Sequence, residues 1–237
     1  MEIKIWGTRG SRPVAGSRFN RYGGETSCIE LRSNSGERII LDAGTGINSM
    51  EGANGEGKET TILLSHAHLD HIQGLPFYSG LYSGKTIIYG PKGIRAQIAR
   101  LFDGAFHPVP FDKLDGVEIR EIEAGAHFPV GGFLIETAPT NHPGETLAYK
   151  ITTDNSVFVY GSDHEIPVAP DPEGERLTSE LAGFMSGADI VLVDSHFSER
   201  DHKQGWGHSH AEQWAEVLKK SKYWQDYVRP FQSLLRR

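Results

Sequence analysis

The chain of 237 residues contains a single cysteine, Cys28. One thiol excludes an internal disulfide framework and any zinc site built from several cysteines, and it is typical of a reducing compartment. We therefore expect a cytoplasmic protein. Because Cys28 lies within an apolar run, its thiol is predicted to be buried and unreactive.

Long hydrophobic runs are also missing, and no apolar segment approaches the length needed to span a membrane. Residues 1–6 alternate between apolar and polar side chains, which predicts a strand rather than a signal peptide. The sequence therefore predicts a soluble protein that does not enter a membrane.

Positive charge is scarce, because 24 Lys and Arg face 31 Asp and Glu, for a net charge of -7. A protein that grips long nucleic acid normally needs clustered Lys and Arg to neutralise phosphates. A bound pair of divalent cations would add about four positive charges at one place. A small anionic substrate is therefore compatible with this chain, whereas long nucleic acid is disfavoured.

The sequence contains 28 glycines and 12 prolines, which indicates many short elements joined by tight turns. Two groups of short β-branched runs are each followed by helical patterns, which predicts an α+β fold with two sheets packed face to face and helices outside. We expect one domain over residues 1–237, with a surface loop at 51–58. The predicted strands are 3–6, 27–31, 38–41, 60–64, 86–89, 117–122, 133–137, 147–152, 157–160 and 190–193, and the predicted helices are 93–102, 176–185 and 210–220.

Four potential metal ligands, His66, His68, Asp70 and His71, follow directly after the apolar strand at 61–64. Alternate residues at a strand end point the same way, so His66 and His68 can converge on one metal, and a turn then directs Asp70 and His71 toward a second. The alternative is a polar loop whose histidines only bond to backbone. Imidazole and carboxylate at this spacing favour a pair of metal sites.

These residues match the H-x-H-x-D-H signature of the metallo-β-lactamase superfamily, and the chain resembles that superfamily over about residues 1–210. The closer resemblance is to the branch containing ribonuclease Z and cyclic-nucleotide phosphodiesterases, including the anti-Pycsar-like enzymes that degrade cyclic-nucleotide immune signals. The resemblance implies a four-layer αββα sandwich, and the tail from about residue 222 departs from it. The other matching segments are residues 7–11, 22–28, 41–46 and 73–77.

The same resemblance implies further site residues. His142, in Thr-Asn-His-Pro-Gly, corresponds to the third histidine of the first metal, although alone it would be an ordinary loop histidine. Asp163 corresponds to the carboxylate that bridges two metals. The implied cofactors are two divalent cations, with zinc favoured and manganese or iron also suitable, and family members often form homodimers. The implied metal ligands are His66, His68, Asp70, His71, His142 and Asp163.

The pattern breaks at the C-terminal end, where the family normally supplies a last histidine to the second metal. No histidine follows His210. Three alternatives remain open: the second site lacks this ligand, it borrows His208, His210 or His164, or another chain supplies it.

The segment Gly205-Trp-Gly-His-Ser209 resembles the Gly-His-Ser motif of the ribonuclease Z branch. The resemblance implies that His208, with Asp70, belongs to the catalytic residues, with His208 as a general acid or phosphate contact. Asp194 is the candidate carboxylate that orients it, or else a residue of a strand-end turn. Ser209 could also cap the helix that follows. His107, His127, His196 and His202 are expected to be loop histidines, and the tryptophans are assigned to packing.

These residues predict a metal-dependent phosphodiesterase that uses a metal-activated hydroxide. The resemblance to the cyclic-nucleotide phosphodiesterases of this branch implies a 3′,5′-cyclic mononucleotide as the substrate. Cleavage of RNA is disfavoured, because no insertion has the length or basicity of the arm with which ribonuclease Z family members hold transfer RNA. The alternatives are a ribonuclease Z-like endonuclease, a cyclic phosphodiesterase of phosphonate metabolism, and a catalytically weak metalloprotein that binds a nucleotide. A β-lactamase is disfavoured.

Overall fold

The computed structural model describes residues 1–50, 59–153 and 155–220. The predicted loop at 51–58 and the divergent tail at 222–237 lie outside these residues. The described strands are β1 Glu2–Gly7, β2 Cys28–Arg32, β3 Arg38–Leu41, β4 Thr60–Leu63, β5 Thr86–Pro91, β6 Val117–Ile122, β7 His127–Val130, β8 Phe133–Pro139, β9 Leu147–Thr153, β10 Ser156–Ser162 and β11 Ile190–Val193. The described α-helices are α1 Leu69–Ile72, α2 Gly80–Ser83, α3 Ile94–Leu101, α4 Pro172–Phe184 and α5 Ala211–Lys220.

The strands form two sheets. The first has the order β1-β2-β3-β4-β5-β6, antiparallel across β1, β2 and β3 and parallel from β3 to β6. The second has the order β11-β10-β9-β8-β7, with β11 parallel to β10 and the other pairs antiparallel. Strands β4 and β5 are buried along their whole length, as expected for parallel strands covered on both faces.

Alternating side chains of each strand serve two different layers of core. On β3, Ile39 and Leu41 point into the core between the sheets, where they pack with residues of the second sheet such as Tyr149 and Phe158. Ile40 points to the outer face. Burying one such side chain stabilises the fold by about 1.5–3 kcal/mol. The two sheets are therefore held face to face by their inner residues.

Helices cover both outer faces. Ile94 and Ile98 of α3 pack on the first sheet, and Leu181 of α4 and Trp214 of α5 pack on the second. The order of layers is helix, sheet, sheet, helix, which confirms the predicted α+β sandwich. No helix within the described ranges is long and apolar enough to cross a membrane.

The predicted strands all form, but the prediction omits β7 and the one-turn helices α1 and α2, and it begins α4 too late. Strand β7 was not predicted, because it is short, contains Pro129 and lies at a sheet edge. His127, expected in a loop, is an exposed residue of this strand. Helix α4 begins at Pro172 rather than at residue 176, since the side chain of Asp171 caps it by accepting a hydrogen bond from the Gly174 N–H at 3.1 Å.

Candidate metal centre

The first two histidines leave the end of β4 in extended backbone, and His68 immediately precedes α1. Extended residues two apart point to the same side. Nε2 of His66 and Nδ1 of His68 lie 3.0 Å apart. The local sequence therefore brings these two imidazoles together, as predicted.

The second sheet contributes the other two groups of this cluster. His142 follows β8, and its Nε2 lies 3.0 Å from Nδ1 of His68. Asp163 follows β10, and its Oδ2 lies 3.6 Å from Nε2 of His66 and 3.8 Å from Nε2 of His142. The four ligand atoms lie within 4.8 Å of one another. The cluster forms only because the strand ends of both sheets meet.

The chemistry of these donors fits a divalent metal ion. Three imidazole nitrogens and a carboxylate oxygen form a common zinc set, in which ligand nitrogens are separated by about 3.3 Å. Nδ1 of His142 donates to the carbonyl oxygen of Gly207 at 2.8 Å, so Nε2 presents its lone pair to the cluster. Burial lowers the pKa of both His66 and His142. Both rings are therefore neutral, as a metal ligand must be.

Asp70 and His71 form a second group that shares Asp163 with the first. Nε2 of His71 lies 3.6 Å from Oδ2 of Asp70 and 3.3 Å from Oδ2 of Asp163. The Ser11 N–H donates to Oδ2 of Asp70 at 2.6 Å. One oxygen of Asp163 thus faces both histidine groups, which is the arrangement expected of a bridging carboxylate.

The charges of this second group also suit a cation. Burial alone would lower the pKa of His71, but Asp163 and Asp42 raise it well above its usual value. Burial alone would raise the pKa of Asp163, but His71 and His66 hold it well below its usual range. The two carboxylates thus favour a proton on His71. A divalent cation bound here would replace that proton.

Asp42, at the end of β3, forms hydrogen bonds that support both groups. Its Oδ1 accepts from the Ser65 N–H at 2.7 Å, and its Oδ2 accepts from the Tyr160 hydroxyl at 2.6 Å and lies 2.7 Å from Nδ1 of His71. The Ser65 hydroxyl is 2.9 Å from the same Oδ2 and 2.9 Å from Nδ1 of His66. This fully buried carboxylate orients His71 directly and His66 through Ser65.

His208 lies at the rim of the second group. Its Nδ1 is 3.2 Å from Oδ2 of Asp194 and 3.9 Å from Oδ2 of Asp163, and its ring stacks on His196 with centroids 4.5 Å apart. Burial alone would lower the pKa of His208, but the hydrogen bond to Asp194 and the charge of Asp163 raise it. Asp194 thus contacts His208, the arrangement expected of an orienting carboxylate.

The three histidines considered as the last ligand of the second metal, His164, His208 and His210, have different surroundings. Nδ1 of His164 accepts from the Asn141 N–H at 3.0 Å and its Nε2 lies 2.9 Å from the Thr178 hydroxyl, while burial lowers its pKa to about 3. His210 pairs with Glu212 at 3.0 Å. Of these three histidines, His208 directs a nitrogen toward Asp163.

A cavity of about 340 Å³ opens beside the second group. Its wall combines the acidic and imidazole groups of the site with one arginine and several hydroxyls. Its polar lining includes Arg9, Asp70, His71, Asp163, His196 and His208. Asp70, His71 and Asp163 line this cavity, so a small molecule in it would lie beside the second group.

The sequence matches a known protein family over most of its length. The family model for a beta-lactamase superfamily domain matches residues 37–225. The chain therefore belongs to the beta-lactamase superfamily, and its fold is the metallo-β-lactamase fold.

Individual proteins of known sequence or structure also resemble this chain. The chain is 30% identical over 180 residues to ribonuclease Z of Bradyrhizobium diazoefficiens, a match covering 67% of this chain and 53% of that protein. The chain thus spans about half the length of that relative. The metallo-β-lactamase fold protein YhfI of Bacillus subtilis superposes with a TM-score of 0.65 at 19% identity, covering 91% of this chain and 79% of YhfI. The short form of human tRNase Z gives 0.63 at 17%, covering 92% and 88%.

Sequence reasoning missed several neighbours of the site. Asp42 was noted only as part of a shared turn, and the stacking of His196 on His208 has no local signal. The assignment of all tryptophans to packing is wrong for Trp206, which is 59% exposed beside Gly207, whereas Trp214 is buried. Glu165 was not singled out, although it is buried and contacts the loop before His208.

Proposed function

We propose that this protein is a metal-dependent phosphodiesterase whose substrate is a 3′,5′-cyclic mononucleotide. The observation that carries the proposal is the single oxygen of Asp163 that faces two histidine groups, 3.6 Å from His66 and 3.3 Å from His71. Two cations bridged by one carboxylate suit displacement at phosphorus. The ribonuclease Z name of a relative supports phosphodiester chemistry.

The distances between the side chains support one proposed set of residues for each cation. His66, His68 and His142 would hold the first, Asp70 and His71 the second, and Asp163 both. When bound, such cations supply a hydroxide at neutral pH and neutralise the phosphate oxygens. Zinc is the proposed ion for the histidine-rich first set.

The protein's own groups would then handle the substrate and the leaving group. In protonated His208, Nδ1–H donates to Asp194, and Nε2–H is available to protonate the departing ribose oxygen. Arg9, on the cavity wall, contributes a cation for the phosphate. His196 limits the rotation of His208 by stacking on its ring. These contacts hold a proton donor at the edge of the proposed phosphate position.

The size of the cavity supports a small substrate. A volume of about 340 Å³ is near the lower end of the ~300–1,000 Å³ range of small-molecule sites.

Two alternatives remain: a ribonuclease Z-like endonuclease, favoured by the named relative, and a nucleotide-binding protein with little turnover. The incomplete second ligand set favours the latter. The proposed active unit is a single domain, and a homodimer is the proposed assembly.

The test is hydrolysis of a panel of 3′,5′-cyclic mononucleotides by zinc-reconstituted protein. His68→Ala removes a ligand of the proposed first metal, and His127→Ala, on the exposed edge strand β7, is the matched control. We expect turnover in the wild type and the control and loss in His68→Ala. Cleavage of precursor transfer RNA alone would establish the endonuclease, and nucleotide binding without turnover would establish the binding protein. Turnover of a cephalosporin alone would refute phosphodiester chemistry.

A further inference from the structure

Glu165 is a buried carboxylate outside the proposed ligand sets. Its side chain accepts hydrogen bonds from two backbone N–H groups of one loop, at 2.7 Å from Gly205 and at 2.6 Å from Gly207. Bonds from N–H groups to a carboxylate are among the stronger hydrogen bonds in proteins. Glu165 therefore attaches this loop to the segment that follows β10.

The Gly205–Gly207 loop has a backbone whose conformation is weakly restricted by its own residues. Gly205 and Gly207 have φ angles of +83° and +80°, a region that glycine enters without steric cost. Trp206 between them is largely exposed. Without the Glu165 carboxylate, the N–H groups of Gly205 and Gly207 would lose their shared acceptor, and the loop would lose the contact that favours one conformation.

The backbone of Glu165 is attached in turn to the segment that contains His142. The Glu165 N–H donates to the carbonyl oxygen of Asn141 at 2.8 Å, and the Asn141 side-chain amide donates to the carbonyl oxygen of Glu165 at 2.8 Å. His142 follows Asn141, and its Nδ1–H donates to the carbonyl oxygen of Gly207. These hydrogen bonds form a closed circuit through Glu165, Asn141, His142 and Gly207.

The circuit determines which nitrogen of His142 faces the metal position. The Gly207 carbonyl engages Nδ1–H, so Nε2 carries the lone pair directed at His68 and Asp163. A group that orients a metal-binding histidine in this way raises metal affinity. Glu165 accepts from the N–H of the same glycine, so it holds the peptide group that precedes this carbonyl across the Gly207 α-carbon.

We propose that Glu165 is a positioning residue, whose carboxylate fixes the Gly205–Gly207 loop so that the Gly207 carbonyl orients His142 toward the first metal. This inference rests on the proposed function, since it concerns the metal held by His66, His68, His142 and Asp163. Glu165 acts through His142 and does not itself contact the metal position.

The experiment measures zinc affinity by competition with a chromophoric chelator, which requires no turnover. Glu165→Gln keeps the shape but places an amide that donates where two N–H donors arrive, and Glu165→Asp keeps the charge but is shorter. We expect a loss of about 10–100-fold in affinity for the first zinc in both variants. Glu212→Gln is the matched control, because it removes a carboxylate that pairs with His210 outside the circuit.

Measuring the effect of Glu165→Gln in the His142→Ala background distinguishes an effect through His142 from a general effect on the structure. If Glu165 acts through His142, the second substitution causes no further loss of affinity. An equal loss in both backgrounds would overturn the proposal, as would unchanged affinity in Glu165→Gln. If the wild type itself binds no zinc, the proposed function has failed, and that result differs from every outcome that concerns Glu165 alone.

Discussion

Oδ2 of Asp42 lies 2.7 Å from Nδ1 of His71, and both side chains are buried. The contact leaves Nε2 of His71 facing Asp70 and Asp163. Asp42 thus connects the end of β3 to the proposed second metal position, although it is not itself among the proposed ligands.

Asp42→Asn is expected to weaken both this orientation and the fold. Asn tolerates the φ of +56° found here, so the backbone needs no change. The variant removes a buried charge that receives several hydrogen bonds, which should lower the free energy of unfolding by about 3 kcal/mol. Affinity for the second zinc should fall about 10–100-fold. Urea unfolding and chelator competition measure the two effects.

Tyr160→Phe is the control for that substitution, because it removes one hydrogen bond to Asp42 and leaves the charge. We expect a loss of about 1 kcal/mol and nearly wild-type zinc affinity. Equal effects of the two variants on zinc affinity would argue against orientation of His71 by the charge of Asp42.

His208→Ala is expected to lower kcat by about 100- to 10,000-fold while both zinc ions remain bound. The proposed reason is loss of the proton donor to the leaving oxygen. Asp194→Asn should cause a smaller decrease, and the double variant should be no slower than His208→Ala, since Asp194 acts through His208. Steady-state kinetics with metal analysis measures this. Loss of the second zinc in His208→Ala would instead identify His208 as its ligand.

The rate should decline on the alkaline side of the pH profile. The environment of His208 raises its pKa, so the protonated form is present below that pKa and is lost as pH rises through it. Asp194→Asn removes an interaction that favours the protonated ring, and it should move the alkaline decline to lower pH. The measurement is kcat against pH for both proteins at saturating zinc. An unchanged alkaline limb in the variant would exclude His208 as the group that titrates there.

Gly207→Ala should disturb His142 as well as the loop. A β-carbon at residue 207 would collide with Nδ1 of His142, and the φ of +80° disfavours alanine. Gly205→Ala has a similar φ but meets open space. We expect about 1–2 kcal/mol of destabilisation from backbone strain in each, and a loss of zinc affinity only in Gly207→Ala. Similar zinc affinities in the two variants would contradict the inference that the contact between Gly207 and His142 orients that histidine.

The regular elements were largely predictable because their patterns are local. Ile39, Ile40 and Leu41 serve two core layers, and a strand that is buried on both faces is visible in the sequence as a continuous apolar run bounded by charged and turn residues. The edge strand containing Pro129 was missed because proline normally argues against a strand. The start of α4 was missed because capping by Asp171 depends on one side-chain hydrogen bond.

The candidate site divides in the same way. The sequence alone determined that His66 and His68 converge, because residues two apart in extended backbone point to one side. It also predicted that Asp70 and His71 follow on a turn, and the structure forms this turn as the short helix α1. The meeting of these groups with His142 and Asp163 was expected from a family resemblance, whereas Asp194 was a candidate because it ends the predicted strand at 190–193.

Only the tertiary structure decided which distant groups complete and support the site. The packing of two sheets brings the ends of β4, β8 and β10 together, and it directs His208 toward Asp163 while His164 is held by Asn141 and Thr178. Asp42 and Glu165 act through hydrogen bonds to residues far along the chain. The periodicity of a sequence reports which way neighbouring side chains point, whereas contacts between distant strand ends depend on how the layers pack.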